Sequence, residues 1–392
     1  MRARMIGLRS GMRGAGPALV IGIACCGLAS AGGQQPLAKL QARAGQVADL
    51  SFSPDGRLLA SGHDDDRVRI WSVNDRRIER TIRVRVPVLS GSPRPAETQQ
   101  HIEAVSWSPG GEFVASGFSA GFGRGVVQLW EPATGKELRT LAENVHNVRV
   151  TAVSPDGRLV AVNLRDPEHE GQMIVLFDSQ TGATAGRLRG ERLAVTAALF
   201  LPDGRRLVSA GGTKAQVWDL ENHALLCTFD KHKSAINCLA VAPDGALVAT
   251  GDARDVLHLW NPEGAAGVHE IEMKYDLSRP PRGSRERMRG AGADDAKRPG
   301  GVTALVFSRS GRTVIAGYVD RGIRLWSTKT GKRWESLFGH AERVTALAIT
   351  PDGGTLASGG RDGLIALWKL NEPATDPTVD EDDEGRTGDD GK

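Results

Sequence analysis

The stretch from Phe338 to Trp368, FGHAERVTALAITPDGGTLASGGRDGLIALW, holds three side chains that could do acid–base or nucleophilic chemistry: His340, Ser358 and Asp362. They are the residue types of a hydrolytic triad, in which an imidazole activates a hydroxyl and a carboxylate orients the imidazole. Trp368 ends the stretch with an indole N–H, a donor that needs an acceptor wherever it is buried. Two further clusters carry metal-ligating types: His63 with Asp64, Asp65 and Asp66, and Asp166 with Glu168, His169 and Glu170. Each falls in a turn between apolar runs and reads as an exposed polar loop. No zinc-type Cys/His spacing occurs, so no metal is expected. Gly121–Gly125 is glycine-rich, but no helix pattern follows, so a phosphate cradle is not expected either.

The elements that must position these residues are short. Val344–Ile349, Leu356–Ser358 and Leu364–Leu367 are apolar runs separated by Pro-Asp-Gly-Gly and Arg-Asp-Gly, which reads as three antiparallel strands. Such a unit cannot bury its faces alone, and it recurs. The turn after the first strand appears at Ser53–Gly56, Ser108–Gly111, Ser154–Gly157, Leu201–Gly204, Ala242–Gly245, Ser308–Gly311 and Thr350–Gly353. The aromatic closing the third strand appears at Trp71, Trp130, Phe177, Trp218, Trp260, Trp326 and Trp368. Two independent landmarks thus agree on seven units. One apolar anchor precedes each first strand: Leu40, Ile82, Leu141, Leu188, Phe229, Ile271 and Leu337. By phase, each anchor marks an outer strand of the preceding unit. Leu40 has no preceding unit, and the unit ending at Trp368 lacks an outer strand, so Leu37–Arg43 is expected to complete the last unit. The expectation is all-β: a seven-bladed β-propeller of four-stranded antiparallel blades, closed by an N-terminal strand that completes the last blade.

Over residues 37–370 the chain resembles the WD-repeat (WD40-type) β-propeller family, through the period, the Ser-Pro-Asp-Gly turns, the closing Trp, one Trp-Asp pair (Trp218-Asp219) and one Gly-His pair (Gly339-His340). The resemblance implies that His340, Ser358, Asp362 and Trp368 form a structural network, not a catalytic site, with the His bridging Asp and Ser and the Ser accepting from the indole. The other units depart from the pattern. The first has Ser61, Asp65 and Trp71 with Arg43 in the His column. The fifth has His232, Thr250 and Trp260 with Arg254 in the Asp column and Asp255 one step late. The sixth has Ala316 in place of Ser, the third has Phe177 in place of Trp, and the fourth has Glu191 in the His column. The last unit is therefore expected to be the one with a full set, and the third and fourth blades the least regular.

The ends differ from the body. Met1–Gly14 carries four Arg and no acid, Ala15–Leu28 is apolar, and Ala29-Ser30-Ala31 is a small-x-small site, which reads as a bacterial-type signal peptide over 1–31. The expected location is exported, periplasmic or secreted, with lipid anchoring at Cys25 or Cys26 as the alternative. The propeller is placed at 32–370 with flexible insertions at 83–100 and 277–300, followed by an acidic disordered tail over 371–392. Without its leader the chain moves from a formal charge of +3 to −1, and only 5% of residues are aromatic, so no nucleic-acid partner is expected. Cys227 and Cys238 lie on different units and are not expected to pair.

The functional expectation is a non-catalytic protein-interaction scaffold or binding module in the cell envelope. It is read as a monomeric propeller with a protein or peptide partner, no cofactor and no membrane span. By the resemblance, the contact face is built from the loops before each first strand and between the second and third, which nominates Arg43, Asp64, Lys233, Val319, Arg343 and Arg361. The alternative is a propeller-type enzyme, a lactonase-like hydrolase or quinone-dependent dehydrogenase, or else an envelope-attachment protein. Against the enzyme, the first-strand segments carry Asp49 as their one acid.

Overall fold

A computed structural model of the chain describes residues 34–41, 45–84, 100–120, 125–145, 148–165, 171–190, 194–272 and 301–373. The leader, the acidic run Asp380–Glu384, the cluster 166–170 and most of both insertions lie outside them. The described residues form seven four-stranded antiparallel sheets. Blade 1 runs through strands Val47–Phe52, Leu58–His63, Arg67–Ser72 and Arg77–Arg83. Blades 2 to 6 span 100–145, 151–188, 195–229, 236–272 and 302–338. Blade 7 takes Val344–Ile349, Thr355–Gly360 and Leu364–Lys369 from the end of the chain and Ala38–Gln41 from its beginning.

That last pairing closes the ring. Ala38 faces Leu367, Leu40 faces Ile365, and Leu37 N–H donates to Leu367 O at 2.7 Å. All seven expected anchors are buried on outer strands, Leu40 at 2% exposure. The closing aromatics are buried as well, and each pairs with the first or second residue of its blade's second strand.

The turns explain their own sequence. Pro54 presets the first corner of a type I turn, and Gly56 N–H donates to Ser53 O at 2.9 Å. The Ser53 hydroxyl donates to Asp55 at 2.6 Å and accepts from Leu58 N–H at 2.9 Å, while Gly56 takes φ +71°, which a side chain resists. The same Gly also receives its neighbour. A β-carbon on Gly56 would sit 3.4 Å from Pro351 of blade 7, and one on Gly111 would sit 3.4 Å from Pro54. Pro202 meets Gly245 and Pro243 meets Gly311 in the same way. The turn Pro of one blade therefore packs on the turn Gly of the next at five of the seven junctions, and Arg309 takes that place against Gly353. Gly204, at the junction of blades 3 and 4, has nothing within 4 Å.

The innermost strands add a second set of stitches. Six blades carry a β-bulge in the first strand, at its second residue in five of them and at Glu103 in blade 2. Freed from the ladder, that side chain can reach the next blade. Thr196 donates to Ile236 O at 2.8 Å, Asn237 to Val302 O at 3.0 Å, and Thr345 to Val47 O at 2.5 Å. The buried Thr303 and Thr151 hydroxyls make no such bond.

Two boundaries differ from the sequence expectation. The insertion 83–100 loses both ends to strands, because Arg83 still pairs with Arg67 and Gln100 pairs with Ala120. The tail begins later than residue 371, since the Ser310 hydroxyl donates to Glu372 at 2.7 Å and fixes it against blade 6.

Removing residues 34–41 is expected to leave Leu364–Lys369 as an open edge, to lower Tm steeply and to promote aggregation in thermal scans, whereas Leu40→Ala alone should cost about 2–4 kcal/mol.

Candidate functional site

The triad-like residues of blade 7 do meet. His340 Nε2 lies 2.7 Å from Ser358 Oγ and His340 Nδ1 lies 3.2 Å from Asp362 Oδ1. Trp368 Nε1 donates to the same Ser358 oxygen at 2.9 Å. Because an indole can only donate, the Ser358 oxygen is the acceptor of that bond, and His340 bridges the same hydroxyl to the carboxylate. Burial opposes ionisation of Asp362, but His340 and the Ala341 N–H outweigh it and hold its carboxyl below the usual range. The connectivity is that of a hydrolase, yet Ser358 is 0% exposed and its oxygen already accepts from Trp368. With that oxygen buried and occupied, the four residues tie together the second strand, the third strand, the turn between them and the entering loop.

Blade 7 is not alone in holding a full set, which corrects the sequence expectation. In blade 5, His232 bonds Thr250 at 2.8 Å and Asp252 at 3.2 Å, and Trp260 donates to Thr250 at 3.3 Å. The expected column held Arg254, but the carboxylate comes from Asp252 at the start of the turn, where it also accepts from Arg254 N–H and Val256 N–H. Phe229 stacks on Trp260 at 4.9 Å, and the His258 ring meets His232 edge-on at 4.5 Å.

Blade 1 supplies a second correction. His63 is not part of a solvated turn: it is 0% exposed, ends the second strand, and lies 2.8 Å from Ser61, which accepts from Trp71 at 2.8 Å. Burial, reinforced by the nearby Arg69, pushes its pKa down to about 4. Asp65 is drawn to Arg69, with the closer pair at hydrogen-bond distance; burial opposes its charge and the guanidinium overrides it. Arg324 and Asp320 repeat that pair in blade 6, with Arg324 lying 4.6 Å over the Tyr318 ring.

The remaining blades trade polarity in matched steps. Among the described residues, blades 2 and 4 show the indole–serine bond of this set, at 2.9 and 2.8 Å. Blade 3 replaces both partners, with Phe177 for Trp and Val162 in the Ser column, so nothing polar is stranded. Its Asn163 instead accepts from Arg149 N–H and Val150 N–H at the blade's entry. Blade 6 keeps Trp326 but has Ala316 in the Ser column, and its indole N–H faces the Tyr318 hydroxyl without a well-formed bond.

The channel wall holds one more acid than expected, because blade 2's first strand extends back to Gln100 and includes Glu103. Asp49 accepts from Val105 N–H of blade 2 at 2.9 Å and from Leu50 N–H at 2.8 Å. Burial nevertheless raises its pKa to about 6. Among the described residues, no group of three or more His, Cys, Asp or Glu is arranged to hold a metal ion, and no helix is long and apolar enough to cross a membrane.

The nominated contact residues sit on one rim. The backbone joins the entering loop to the turn between second and third strands: Arg361 N–H donates to Arg343 O at 3.0 Å, Val319 N–H to Gly301 O at 3.2 Å, and Asp64 N–H to Gln46 O at 3.4 Å. Arg343 and Arg361 are thereby adjacent and both exposed. In blade 5 the bridge uses Ala253 and Ala235, and Lys233 lies two residues upstream, exposed beside the buried His232. Val319 is 41% exposed. Arg43 lies outside the described residues. Cys227 and Cys238 are both free thiols.

The model of the WD domain, G-beta repeat, matches residues 34–72, 182–219, 224–261, 296–327 and 331–369. Five stretches of the chain are thus similar to WD40 repeats. The first and last WD40 windows each take an outer strand from one blade and three strands from the next, which is the offset that makes closure possible. Residues 73–181 match no window, yet they supply all of blade 2 and the first three strands of blade 3. WD repeat-containing protein slp1 of Schizosaccharomyces pombe is 24% identical over 285 residues, covering 70% of this chain and 51% of that protein. Protein FIZZY-RELATED 1 of Arabidopsis thaliana is 24% identical over 274 residues, 68% of this chain and 50% of that protein. Cell division cycle 20.1, cofactor of APC complex, from the same plant, is 24% identical over 287 residues, 70% and 55% respectively. The chain thus spans about half the length of these curated relatives.

Two outcomes follow. Ala316→Ser should give Trp326 its missing acceptor and raise stability by about 1 kcal/mol in chemical denaturation. Asp49 binds its proton more tightly folded than unfolded, so its contribution is favourable below the ordinary carboxylate value and is lost as pH rises through about 6. Asp49→Asn, which loses the charge and one of the two acceptors, should therefore gain about 1–2 kcal/mol relative to the native chain between pH 3 and pH 7, as read from Tm across pH.

Proposed function

We propose that the protein is a non-catalytic interaction scaffold that seats a protein or peptide partner on the rim carrying Arg343, Arg361, Lys233 and Val319. The observation that carries this reading is a contrast within one turn. Asp362 is consumed by the buried tetrad, while its neighbour Arg361 is exposed and tied by backbone to the exposed Arg343. The rim side chains are thus presented by a rigid frame whose own polar chemistry is already satisfied. A partner gains from such pre-organisation because little entropy is lost on docking. One WD-repeat relative is itself named a cofactor of a larger complex, which supports an adaptor role.

The leader over 1–31 supports export to the periplasm or beyond as part of the same proposal, and the near-neutral remainder of the chain fits a monomeric module. Mass spectrometry of the protein recovered from its native cell would find an N-terminus near Gly32. A full-length or lipidated product would refute simple cleavage.

Charge reversal at the rim tests the partner reading directly. Arg343→Glu/Arg361→Glu should fold with unchanged far-UV dichroism and lose partners captured by the native chain. Arg57→Glu/Arg158→Glu, beside the turns at the other end of the strands, should retain them. An identical capture profile for both variants would sink the rim as the docking face.

A further inference from the structure

The rim is not uniform in charge. Over blades 5 to 7 its exposed or half-exposed cations are Lys231, Lys233, Arg254, Arg321, Arg343 and Arg361. The carboxylates there are largely spent. Asp252 and Asp362 bond the two buried histidines, Asp320 holds Arg324, and Asp255 is 2% exposed. Asp230 and Glu342 are the exposed acids among the described rim residues of these blades, and Glu342 meets Arg361 only at 3.8 Å with both side chains more than half exposed. An ion pair so open to water holds its partners weakly. Lys233, Arg254, Arg321 and Arg343 make no ion pair with any described residue, unlike Arg67, Arg69, Arg206 and Arg324 elsewhere. Crossing from blade 7 to blade 1 changes the turn to Asp64-Asp65-Asp66, where Arg67 and Arg69 hold Asp65 and the half-exposed Asp64 puts a carboxylate on the rim.

Arg321 has a second property. The third residue of this turn takes positive φ in blades 1, 5, 6 and 7: Asp66 at 63°, Asp255 at 65°, Arg321 at 76° and Gly363 at 72°. Gly adopts that region without penalty and Asp tolerates it by local hydrogen bonding, but a long unbranched side chain gains nothing there. Arg321 is therefore a cation kept at a position where the backbone favours Gly. Such a residue points to a role outside the fold. Beside it, Val319 is the exposed apolar residue of the same turn.

We propose that the rim of blades 5 to 7 docks an acidic segment of a partner protein. Lys233, Arg254, Arg321, Arg343 and Arg361 take its carboxylates, and Val319 takes one apolar side chain. This inference rests on the rim reading above and adds the chemistry of the partner. The Asp64 carboxylate on the rim at blade 1 ends the acidic footprint on that side and sets its position on the ring.

The test uses the full chain and a fluorescein-labelled synthetic peptide of alternating glutamate and glycine with one central leucine, followed by anisotropy. A glutamine-for-glutamate peptide is the control. The native chain should bind the acidic peptide, lose affinity as salt rises, and ignore the control. Arg321→Gly is the decisive variant, since it removes the cation while relaxing the turn. Affinity should fall about threefold or more while Tm stays the same or rises. Equal affinity for the two peptides, or an Arg321→Gly variant that binds as well as the native chain, would overturn the proposal. If that happens while Arg343→Glu/Arg361→Glu still loses its captured partners, the acidic chemistry fails and the rim reading survives. If capture is also unchanged, both fail. Tighter binding of the acidic peptide after deletion of residues 376–392 would assign the arc to the chain's own acidic tail and overturn the partner assignment.

Discussion

Everything in this protein depends on the antiparallel pairing of Ala38–Gln41 with Leu364–Lys369. Each blade is a sheet too small to bury both faces, so it is stable only between two neighbours. An open array would leave two terminal blades half-packed and one strand edge exposed. The clasp removes both problems by making the first residues of the body the outer strand of the last blade. The same junction carries the Thr345 bond to Val47 O and the packing of Pro351 against Gly56, so closure is held at the core, at the turns and at the edge.

Within that ring, the cost of burying a tryptophan N–H in each blade is met in several ways. Blades 5 and 7 bring a histidine in from the loop ahead of the first strand. Blade 1 takes one from the end of its own second strand and adds an arginine–aspartate pair. Blade 3 gives up the donor and the acceptor together. The common rule is that a buried donor must find an acceptor or be removed along with it, because a half-made pair costs more than none. Blade 6 departs from that rule at Trp326. The resemblance of the blade 7 set to a hydrolytic triad follows from the same need, since Ser, His and Asp relay a hydrogen-bond direction whether or not a substrate is present.

The polarity spent inside determines what is left outside. Carboxylates of the turns between second and third strands are drawn inward by histidine or arginine, and the adjacent basic residues remain on the rim. The surface charge over blades 5 to 7 is thus partly a by-product of how the interior is satisfied. A scaffold built this way can change its rim residues without disturbing the tetrads, provided the turn keeps its carboxylate and its positive φ.

Much of this was legible in the chain itself. The seven turns, the seven closing aromatics, the seven anchors and the clasp are local signals, because turn chemistry and strand alternation act over a few residues, and their repetition gives the ring. What only the tertiary structure decided are the contacts between segments far apart in sequence. Asp252, not the residue two positions on, completes the blade 5 network, because a strand end can supply a carboxylate that a column of aligned turns does not reveal. His63 looked like a loop ligand beside three aspartates, yet the second strand runs one residue further and carries it under Ser61. Glu103 joined the channel wall because strand pairing extended past the apolar run. The bulges that free Thr196, Asn237 and Thr345 to reach the next blade have no signature in one repeat, since their purpose lies in the backbone of another. The sequence by itself determined the repeat, the strands and the order of closure; the packing of one blade on the next decided which polar residues are buried as partners and which are left on the rim.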